Sequence, residues 1–456
     1  MTKLQDTLIQ WFPLMICLSL MLQPHLLHFS AFSMTQIPLM FLFWLLLINH
    51  KVGISVPKLG LIAVCLLMFG QLMLWLSGGA KEDGVMLVGL VWMMSALILY
   101  GAMHKMCKNI DILMYSYIGA SVLWAIVAAI VWFGFTDGDG ISFWGLAVTH
   151  IAQLKPTGSF SNGNVFGIMM LCAWIMSMKY GLTKHRFSVL MLCLAFFFLT
   201  WVFASLSRGA WLAGSIVYVA ILVRLLQAKR WPDLVMMLLM LLGASWLAAQ
   251  MIAMVDVDQS LGARAGQVVN IDAARLVLYP AVFEVWKEHW FFGVGLGNLT
   301  GHFLTGQAKA LSYLPKNLHG LGAVSSAHNH FLYMLSTTGI IGMLAWLLPS
   351  FVLFKHVFSN RFDLTSQAWA PLAVALVLWV QGLFNISMNE ALPFFSFILF
   401  LGLGVALDKD KECCQQAWLK LPQRFSSVVM GVVILGLTFA SYQTVQAWTL
   451  YEKIVT

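Results

Sequence analysis

The sequence predicts an all-α membrane protein, a polytopic bundle of about 12–13 transmembrane helices with a loop cap outside the membrane. Hydrophobic residues make up 61% of the 456 residues and charged residues only 10%, and the mean hydropathy is +0.85. The apolar residues occur in continuous runs of spanning length. A membrane β-barrel would instead show apolar and polar residues alternating along short strands.

Apolar runs of about 20 residues mark the predicted spans. Lys3 followed by an apolar run resembles a secretory signal, but no small-residue cleavage site follows it, so we expect the first helix to be retained. In chain order the predicted spans are residues 8–27, 35–49, 57–77, 84–103, 110–134, 164–180, 187–205, 209–227, 233–254, 328–354, 367–387, 391–407 and 425–447.

The basic residues predict which side of the membrane each loop faces. With the N-terminus in the cytoplasm, most of the 26 Lys and Arg fall in inner loops, as the positive-inside rule requires. Inner loops facing anionic membrane lipid then explain the net charge of +8, and no nucleic-acid partner is needed. This topology leaves Arg208, Arg275 and His328 on the outer side.

Two long outer loops divide the chain. N-terminal membrane helices (1–134) precede a loop (135–163), membrane helices with Arg208 at their outer boundary (164–254), a second long loop (255–327) and C-terminal membrane helices (328–456). In the second loop, residues 274–290 have apolar residues at helical spacing, which predicts an amphipathic helix on or near the membrane surface. The glycines of the following FFGVGLGN permit a tight turn. The loops are too short for a separate enzymatic domain, so any chemistry must occur at the outer boundary.

Arg208 lies inside one long apolar run. As a helix, residues 187–223 would be about 55 Å long at ~1.5 Å per residue, too long for one span, so the run should fold as a hairpin that turns at 205–209. Arg208 then lies slightly below the outer surface, where a charge is usually paired or functional. The alternative is an arginine whose long side chain reaches the interface.

Arg275, at the start of the amphipathic helix, lies on the same side. Taken alone, it is typical of an arginine solvated at the membrane surface. Taken with Arg208, it indicates a diphosphate site, because each guanidinium can bind phosphate oxygens through two parallel hydrogen bonds and keeps its charge when partly desolvated.

Three interpretations are open for His328 and His330. Each can be a helix-capping or core histidine, or with His319 a metal ligand, although the spacing matches no known metal motif. The third interpretation is a catalytic base, because neutral imidazole can take a proton from an attacking hydroxyl. Two short acidic motifs, at 137–139 and 256–258, would suit a metal-bound sugar nucleotide, a substrate not expected on this side. The scattered cysteines indicate neither disulfides nor a zinc site.

A motif begins at His328-Asn329, which nine residues separate from Gly339-Ile340-Ile341-Gly342. It is similar to the H-N-x9-G-x-x-G pattern of the O-antigen ligases, and the chain thus resembles the O-antigen ligase and polymerase superfamily of bacterial inner-membrane glycosyltransferases. The segments SLSRGAW, ARLVLYPAVFEVW with FFGVGLGN, and GSFSNGNVFG (158–167) agree with it. The resemblance is strongest over residues 158–346, and elsewhere it extends only to stacked helices.

The resemblance implies a metal-independent glycosyltransferase of the GT-C type without cofactor, whose site faces the periplasm from the inner membrane. Its donor would be a glycan on undecaprenyl diphosphate, and its acceptor a hydroxyl of the lipid A core, a pilin Ser or Thr, or another glycan. His328 matches the family's essential histidine, and Arg208 and Arg275 its diphosphate-binding arginines. Asn329, Gly339 and Gly342 would support the loop and turn of the motif.

Two alternatives to a ligase are open. A polymerase of O-antigen or capsule repeats would use the same kind of donor. A transporter or flippase for lipid-linked glycans would place charges near the bilayer midplane and show related halves. In this sequence the key residues lie at one membrane boundary, which favours an enzyme over a transporter.

Overall fold

The computed structural model describes most of the central part of the chain. The described residues are 55–76, 110–134, 142–143, 146–147, 162–183, 187–254, 273–316, 326–360, 362–385, 390–408 and 418–420, together with isolated positions between and after these ranges.

The described part of the chain is helical apart from two short antiparallel strand pairs. Strand β1 (Ser55–Pro57) pairs with β4 (Trp418–Lys420), and β2 (Ser142–Phe143) pairs with β3 (Leu146–Ala147). The helices are α1 (Lys58–Leu76), α2 (Ile110–Gly134), α3 (Gly163–Gly181), α4 (Ser188–Ala204), α5 (Arg208–Gln227), α6 (Trp231–Met254), α7 (Ala273–Glu288), α8 (Leu299–Leu311), α9 (His330–Asn360), α10 (Trp369–Gly382) and α11 (Ala391–Leu407).

These helices confirm the predicted fold class. Every predicted span from 57–77 to 391–407 that falls in the described part corresponds to a helix whose ends differ from the prediction by at most six residues, and the long apolar run turns between α4 and α5 as predicted. By length and composition, α5, α6, α9 and residues Ile110–Ile130 of α2 can each cross a membrane. The predicted spans 8–27, 35–49, 84–103 and nearly all of 425–447 lie outside the described residues.

Helix α10 differs from its prediction in a way that matters for the site. The sequence predicts a span over 367–387, but the helix ends at Gly382 and the chain turns through Leu383 and Phe384. The apolar residues continue past the end of the helix, so hydrophobicity alone could not mark it. Because the last carbonyls of a helix have no intrahelical donor, this turn can bind other side chains.

Helix α3 forms the centre of the bundle. Nearly all of its residues are buried, and α4, α10, α2 and α5 pack around it. Large aromatic side chains fill the contacts, such as Trp174, which stacks on Tyr218 with ring centroids 5.8 Å apart. Small residues let the helices approach closely: a Cβ on Gly214 would lie 3.0 Å from the Leu171 side chain. Close packing of this kind drives helix association in lipid, where the hydrophobic effect between helices is weak.

Polar contacts and a strand pair join the helices at one end of the bundle. At the end that the sequence places inside, Lys179 Nζ donates to the carbonyl of Gln367 (3.0 Å), and Arg230 Nη2 donates to the carbonyl of Leu182 (2.7 Å). The pairing of β1 with β4 joins two other segments that the sequence places in inner loops. These contacts join segments that the sequence predicts on the same side of the membrane.

The second long loop contains a helical hairpin that forms the cap. Helices α7 and α8 pack on each other around a small core of their own, which is Leu278, Ala281, Val282, Val285, Leu299, Phe303 and Ala310 with Val294 and Ala327. The amphipathic helix predicted at 274–290 is therefore confirmed as a helix, over Ala273–Glu288.

A buried carboxylate fastens the far end of this hairpin. Glu284 accepts hydrogen bonds from Lys287 Nζ (2.6 Å) and from the Tyr313 hydroxyl (2.8 Å). These bonds hold the pKa of the Glu284 carboxyl below its usual value. A carboxyl whose pKa is lowered by folding stabilises the folded cap when the pH is above the ordinary pKa of the group. This stabilisation is lost as the pH falls through the lowered pKa.

Candidate active site at the capped end of the bundle

Helix α9 is broken at Gly339, where the backbone leaves the helical conformation (φ 64°, ψ −164°). A break leaves backbone groups without intrahelical partners, and the segment that follows α7 binds them. The Val294 amide donates to the Ser336 carbonyl (2.9 Å), and the Ile340 amide donates to the Trp290 carbonyl (2.9 Å). The cap is thus joined to the membrane helix through main-chain hydrogen bonds on both sides of the break.

Only glycine fits at the centre of this joint. A Cβ on Gly339 would overlap the Phe291 carbonyl and lie 2.6 Å from the Phe292 amide nitrogen. A Cβ on Gly293 would lie 2.5 Å from the Thr337 carbonyl oxygen. Both glycines also have positive φ, 64° and 75°, which residues with a side chain rarely adopt. Glycines of two separate sequence motifs therefore meet in one structural feature.

Gly342, the second glycine of the motif, allows α9 to resume after the break. A Cβ there would overlap the Thr338 side chain and lie 3.1 Å from Leu67 of α1. The Thr338 hydroxyl itself donates to the Met334 carbonyl one turn earlier. The G-x-x-G half of the motif is therefore a packing requirement of the broken helix.

His328 and Asn329 stand at the start of α9. Asn329 caps the helix, since its Oδ1 accepts from the Leu332 amide (3.0 Å), and its Nδ2 donates to the Leu383 carbonyl after α10 (2.8 Å). The half-buried His328 has a positive φ of 46°, and its amide donates to Ser326 Oγ (3.1 Å). A histidine held at a positive φ is energetically costly, and such strain is concentrated at functional sites.

The two predicted arginines are both half-buried at the same end of the bundle. Arg275 Nη2 donates to the Phe384 carbonyl (3.1 Å), which ties the start of the cap to the turn after α10. Arg208 is the first residue of α5, directly after Ser207, whose hydroxyl caps the helix by accepting from the Ala210 amide (3.3 Å). Arg208 thus combines a guanidinium with the positive end of a helix dipole.

Glycines place the Arg208 turn against its neighbours. A Cβ on Gly209 would overlap Oε1 of Gln381 in α10, and a Cβ on Gly167 would overlap Oγ of Ser205. Gly167 belongs to the GSFSNGNVFG segment, in which Asn162 caps α3 by accepting from the Asn164 amide. All segments of the resemblance therefore meet at this end of the bundle.

The turn after α10 contacts Asn329 and Arg275 directly, and it follows Gln381, which packs against Gly209. Its Leu383 carbonyl binds Asn329, its Phe384 carbonyl binds Arg275, and Gln381 at its base packs against Gly209. The turn therefore connects Arg275 with the direct sequence neighbours of His328 and Arg208. Guanidinium groups can bind a doubly charged leaving group, and an imidazole can accept a proton.

His330 has a different environment from His328. It is buried, and its ring packs edge-to-face against Trp346 with centroids 4.5 Å apart. A structural role explains this contact. Replacing His330 would leave a cavity in the core, so a substitution there would change packing and could not serve as a neutral control for a substitution of His328.

Some residues that were considered as metal ligands lie outside the described part of the chain. His319 and the acidic residues at 137–139 and 256–258 lie outside the described residues. Within the described ranges, no group of three His, Cys, Asp or Glu side chains could hold a metal ion, and Cys65, Cys172 and Cys193 are free.

Sequence reasoning missed the contribution of α10. Gln381, Leu383 and Phe384 belong to an apolar stretch that the sequence assigns simply to a span. One signal was present: Gln381 is a polar side chain in a long apolar run, and polar residues in membrane helices usually have a function or a partner. The carbonyls of Leu383 and Phe384 carry no sequence signal, because any residue supplies them.

Comparison with known proteins agrees with the resemblance. Residues 193–347 match the family described as O-Antigen ligase, a segment that contains Arg208, Arg275, His328, Gly339 and Gly342. The resemblance is therefore confirmed over this part of the chain. No curated protein matches the chain.

Proposed function

We propose that this chain, whose residues 193–347 carry the O-antigen ligase pattern, transfers a glycan from undecaprenyl diphosphate to an acceptor hydroxyl. In general terms the family indicates an O-antigen ligase-like or polymerase-like membrane glycosyltransferase. The donor, the side of the membrane and the residue roles are our proposal. The observation that carries it is the shared turn after α10, which contacts Asn329 and Arg275 directly and Gly209 through Gln381.

The arginines suit the leaving group. A lipid diphosphate is already activated, so the protein must hold it and stabilise the charge that develops as the glycosidic bond breaks. Arg208 adds the N-terminus of α5 to its guanidinium, and backbone amides at a helix start favour phosphate. Arg275, at the start of the cap, binds the turn after α10, and Gln381 before this turn packs against Gly209, next to Arg208. The two guanidiniums can therefore bind the diphosphate from different sides.

His328 is the proposed base. Its imidazole accepts the proton of the acceptor hydroxyl while that oxygen attacks the anomeric carbon, and the bond to the diphosphate oxygen breaks. The leaving undecaprenyl diphosphate stays bound to Arg208 and Arg275. Asn329 fixes the position of His328, because it is hydrogen-bonded to both α9 and the turn after α10.

The site would face the periplasm from the bacterial inner membrane, with the lipid tail of the donor in the bilayer. Neither a metal ion nor a soluble cofactor is required, because the arginines supply the positive charge. The acceptor would be a hydroxyl of the lipid A core or of a pilin, and the same chemistry on a glycan hydroxyl would make the enzyme a polymerase.

The test is glycan transfer by the purified protein. The protein in detergent is incubated with a lipid-linked glycan and, in separate reactions, with lipid A core, pilin or no added acceptor, and conjugates are identified by mass. Transfer to lipid A core or pilin supports a ligase, and elongated lipid-linked glycan indicates a polymerase. Absence of any conjugate with active donor and acceptor would contradict the proposal.

Matched arginine variants test the diphosphate site. Arg208→Lys and Arg275→Lys keep the charge but lose the paired hydrogen bonds, which should cost about 2–4 kcal/mol, or about 30- to 1000-fold in transfer. Arg224→Lys, at the opposite end of α5 and bonded to Gln227, is the control and should transfer normally. Equal activity of all three variants would refute the assignment.

A further inference from the structure

We propose that Gln381 is a donor-binding residue, whose side-chain amide binds the diphosphate together with the N-terminus of α5. The inference rests on the proposed function and extends the site to a helix outside the segment that matches the family.

Gln381 is a buried polar side chain whose amide has no hydrogen-bond partner among the described residues, as expected of a ligand-binding residue without its ligand. It is fully buried in α10, and neither Oε1 nor Nε2 has a hydrogen-bond partner among the described residues. A buried amide without partners is costly, because the group loses its water and gains nothing in exchange. A leucine or methionine would fill the same space in the bundle without this cost, so packing alone does not explain a glutamine.

The position of the amide points to the ligand. Gln381 Oε1 packs against Gly209, the second residue of α5, so closely that a Cβ there would overlap it. The Gly209 amide has no intrahelical acceptor, because the first amides of any helix lack one. The buried amide therefore lies at a helix N-terminus, beside Arg208, at the place where an anion is favoured.

The rest of the proposed site is connected to the same residue. The Gln381 carbonyl accepts from the Phe384 and Asn385 amides (both 3.0 Å), and so shapes the turn that binds Asn329 and Arg275. The Gln381 side chain thus contacts the start of α5, and its backbone carbonyl holds the turn that binds Asn329 and Arg275.

A carboxamide suits this role. Its Nε2 donates two hydrogen bonds, which phosphate oxygens accept, and its Oε1 accepts one, which a guanidinium can donate. It carries no charge, so it does not compete with the diphosphate for the arginines. The flexible side-chain torsions let the amide turn from Gly209 towards a ligand without movement of α10.

The experiment compares Gln381→Met with Gln307→Met in the full-length purified protein. Gln307 lies in the cap, and both polar atoms of its amide are hydrogen-bonded, because Oε1 accepts from the Leu321 amide (2.6 Å) and Nε2 donates to the Leu321 carbonyl (2.9 Å). Without ligand, Gln307→Met should lower the melting temperature, whereas Gln381→Met should leave it unchanged or raise it. A clear loss of stability in Gln381→Met would show that the amide is structurally paired and would overturn the inference.

Binding is measured as the shift in melting temperature caused by undecaprenyl diphosphate, with undecaprenyl monophosphate as the comparison. A ligand that binds only the folded state raises the melting temperature. Gln381→Met should weaken diphosphate binding by about 10- to 100-fold and raise the KM for the lipid-linked donor more than it lowers kcat. Gln381→Glu should abolish the shift, because a carboxylate repels the diphosphate. Gln381→Met is the deciding variant, because a merely structural glutamine would leave its shift intact.

The outcomes separate this inference from the proposed function. If undecaprenyl diphosphate does not stabilise the wild-type protein, the donor class is wrong. If it stabilises wild type, Gln381→Met and Gln381→Glu equally, the proposed function stands and the role of Gln381 is refuted.

Discussion

Substitution of Gly339 by alanine tests the joint between the cap and the broken helix. The added methyl group would overlap the backbone of Phe291, and the φ of 64° with ψ of −164° is a conformation that almost only glycine adopts. Backbone atoms cannot turn aside as a side chain can, so the joint itself must open.

The expected loss follows from the bonds that the joint contains. The unfavourable backbone conformation costs about 1–3 kcal/mol in alanine. Opening the joint also breaks three well-formed main-chain hydrogen bonds, each with a net contribution of about 1 kcal/mol. We therefore expect Gly339→Ala to destabilise the folded protein by about 4–6 kcal/mol. The bonds are Val294 to Ser336 (2.9 Å), Gly295 to Thr337 (2.8 Å) and Ile340 to Trp290 (2.9 Å).

The assay is thermal unfolding of the purified variants in one detergent, with folded yield measured in parallel. Gly301→Ala is the control, because Gly301 lies in α8 with open space where its Cβ would be. That variant should gain about 0.5–1 kcal/mol from helix propensity. Gly293→Ala, on the cap side of the joint, should resemble Gly339→Ala. If Gly339→Ala unfolds at the wild-type temperature with wild-type yield, the joint does not hold the cap.

Three further predictions concern orientation, the base and metal. A cysteine at the exposed Ser312 should react with a membrane-impermeant thiol reagent added from the periplasm, and one at the exposed Ser359 should not; the reverse labelling would overturn the orientation. His328→Asn and His328→Gly should lower transfer by about 10²- to 10⁴-fold at unchanged or higher melting temperature, because both residues tolerate a φ of 46° better. Wild-type transfer by either variant would exclude a base at this position. A chelator should leave transfer unchanged, and activity that disappears with chelator and returns with Mg²⁺ would show that a metal takes part.

Much of the bundle could be predicted because its physics is local. A mostly apolar run of 37 residues is too long for one span, so its length predicts a turn, and the polar residues around Arg208 mark the place. Apolar spacing gave α7 within two residues, because an amphipathic helix repeats its pattern every turn. The convergence of the motif segments is different. It depends on how helices far apart in sequence pack, which no single pattern contains.

The features that were not predicted are contacts of backbone atoms and of side chains that only the packed bundle brings together. The carbonyls of Leu383 and Phe384 bind Asn329 and Arg275 only because α10 ends at Gly382, five residues before the predicted end. The burial of Gln381 against Gly209 likewise needs the packed bundle. The glycines were recognised as a motif, but their purpose, the crossing of two main chains, could not be read from spacing.

The spacing within H-N-x9-G-x-x-G has a geometric explanation in this structure. Its asparagine is bonded to the turn after α10, and the backbone around its first glycine is bonded to the cap, so the helical segment between them is fixed at both ends. The cap returns to the same turn through Arg275, which closes a ring of contacts around the proposed site. One residue more or fewer in this segment would rotate its ends by about 100° relative to each other. The asparagine and the glycine could then no longer reach both partners, so the nine-residue spacing follows from closure of the ring.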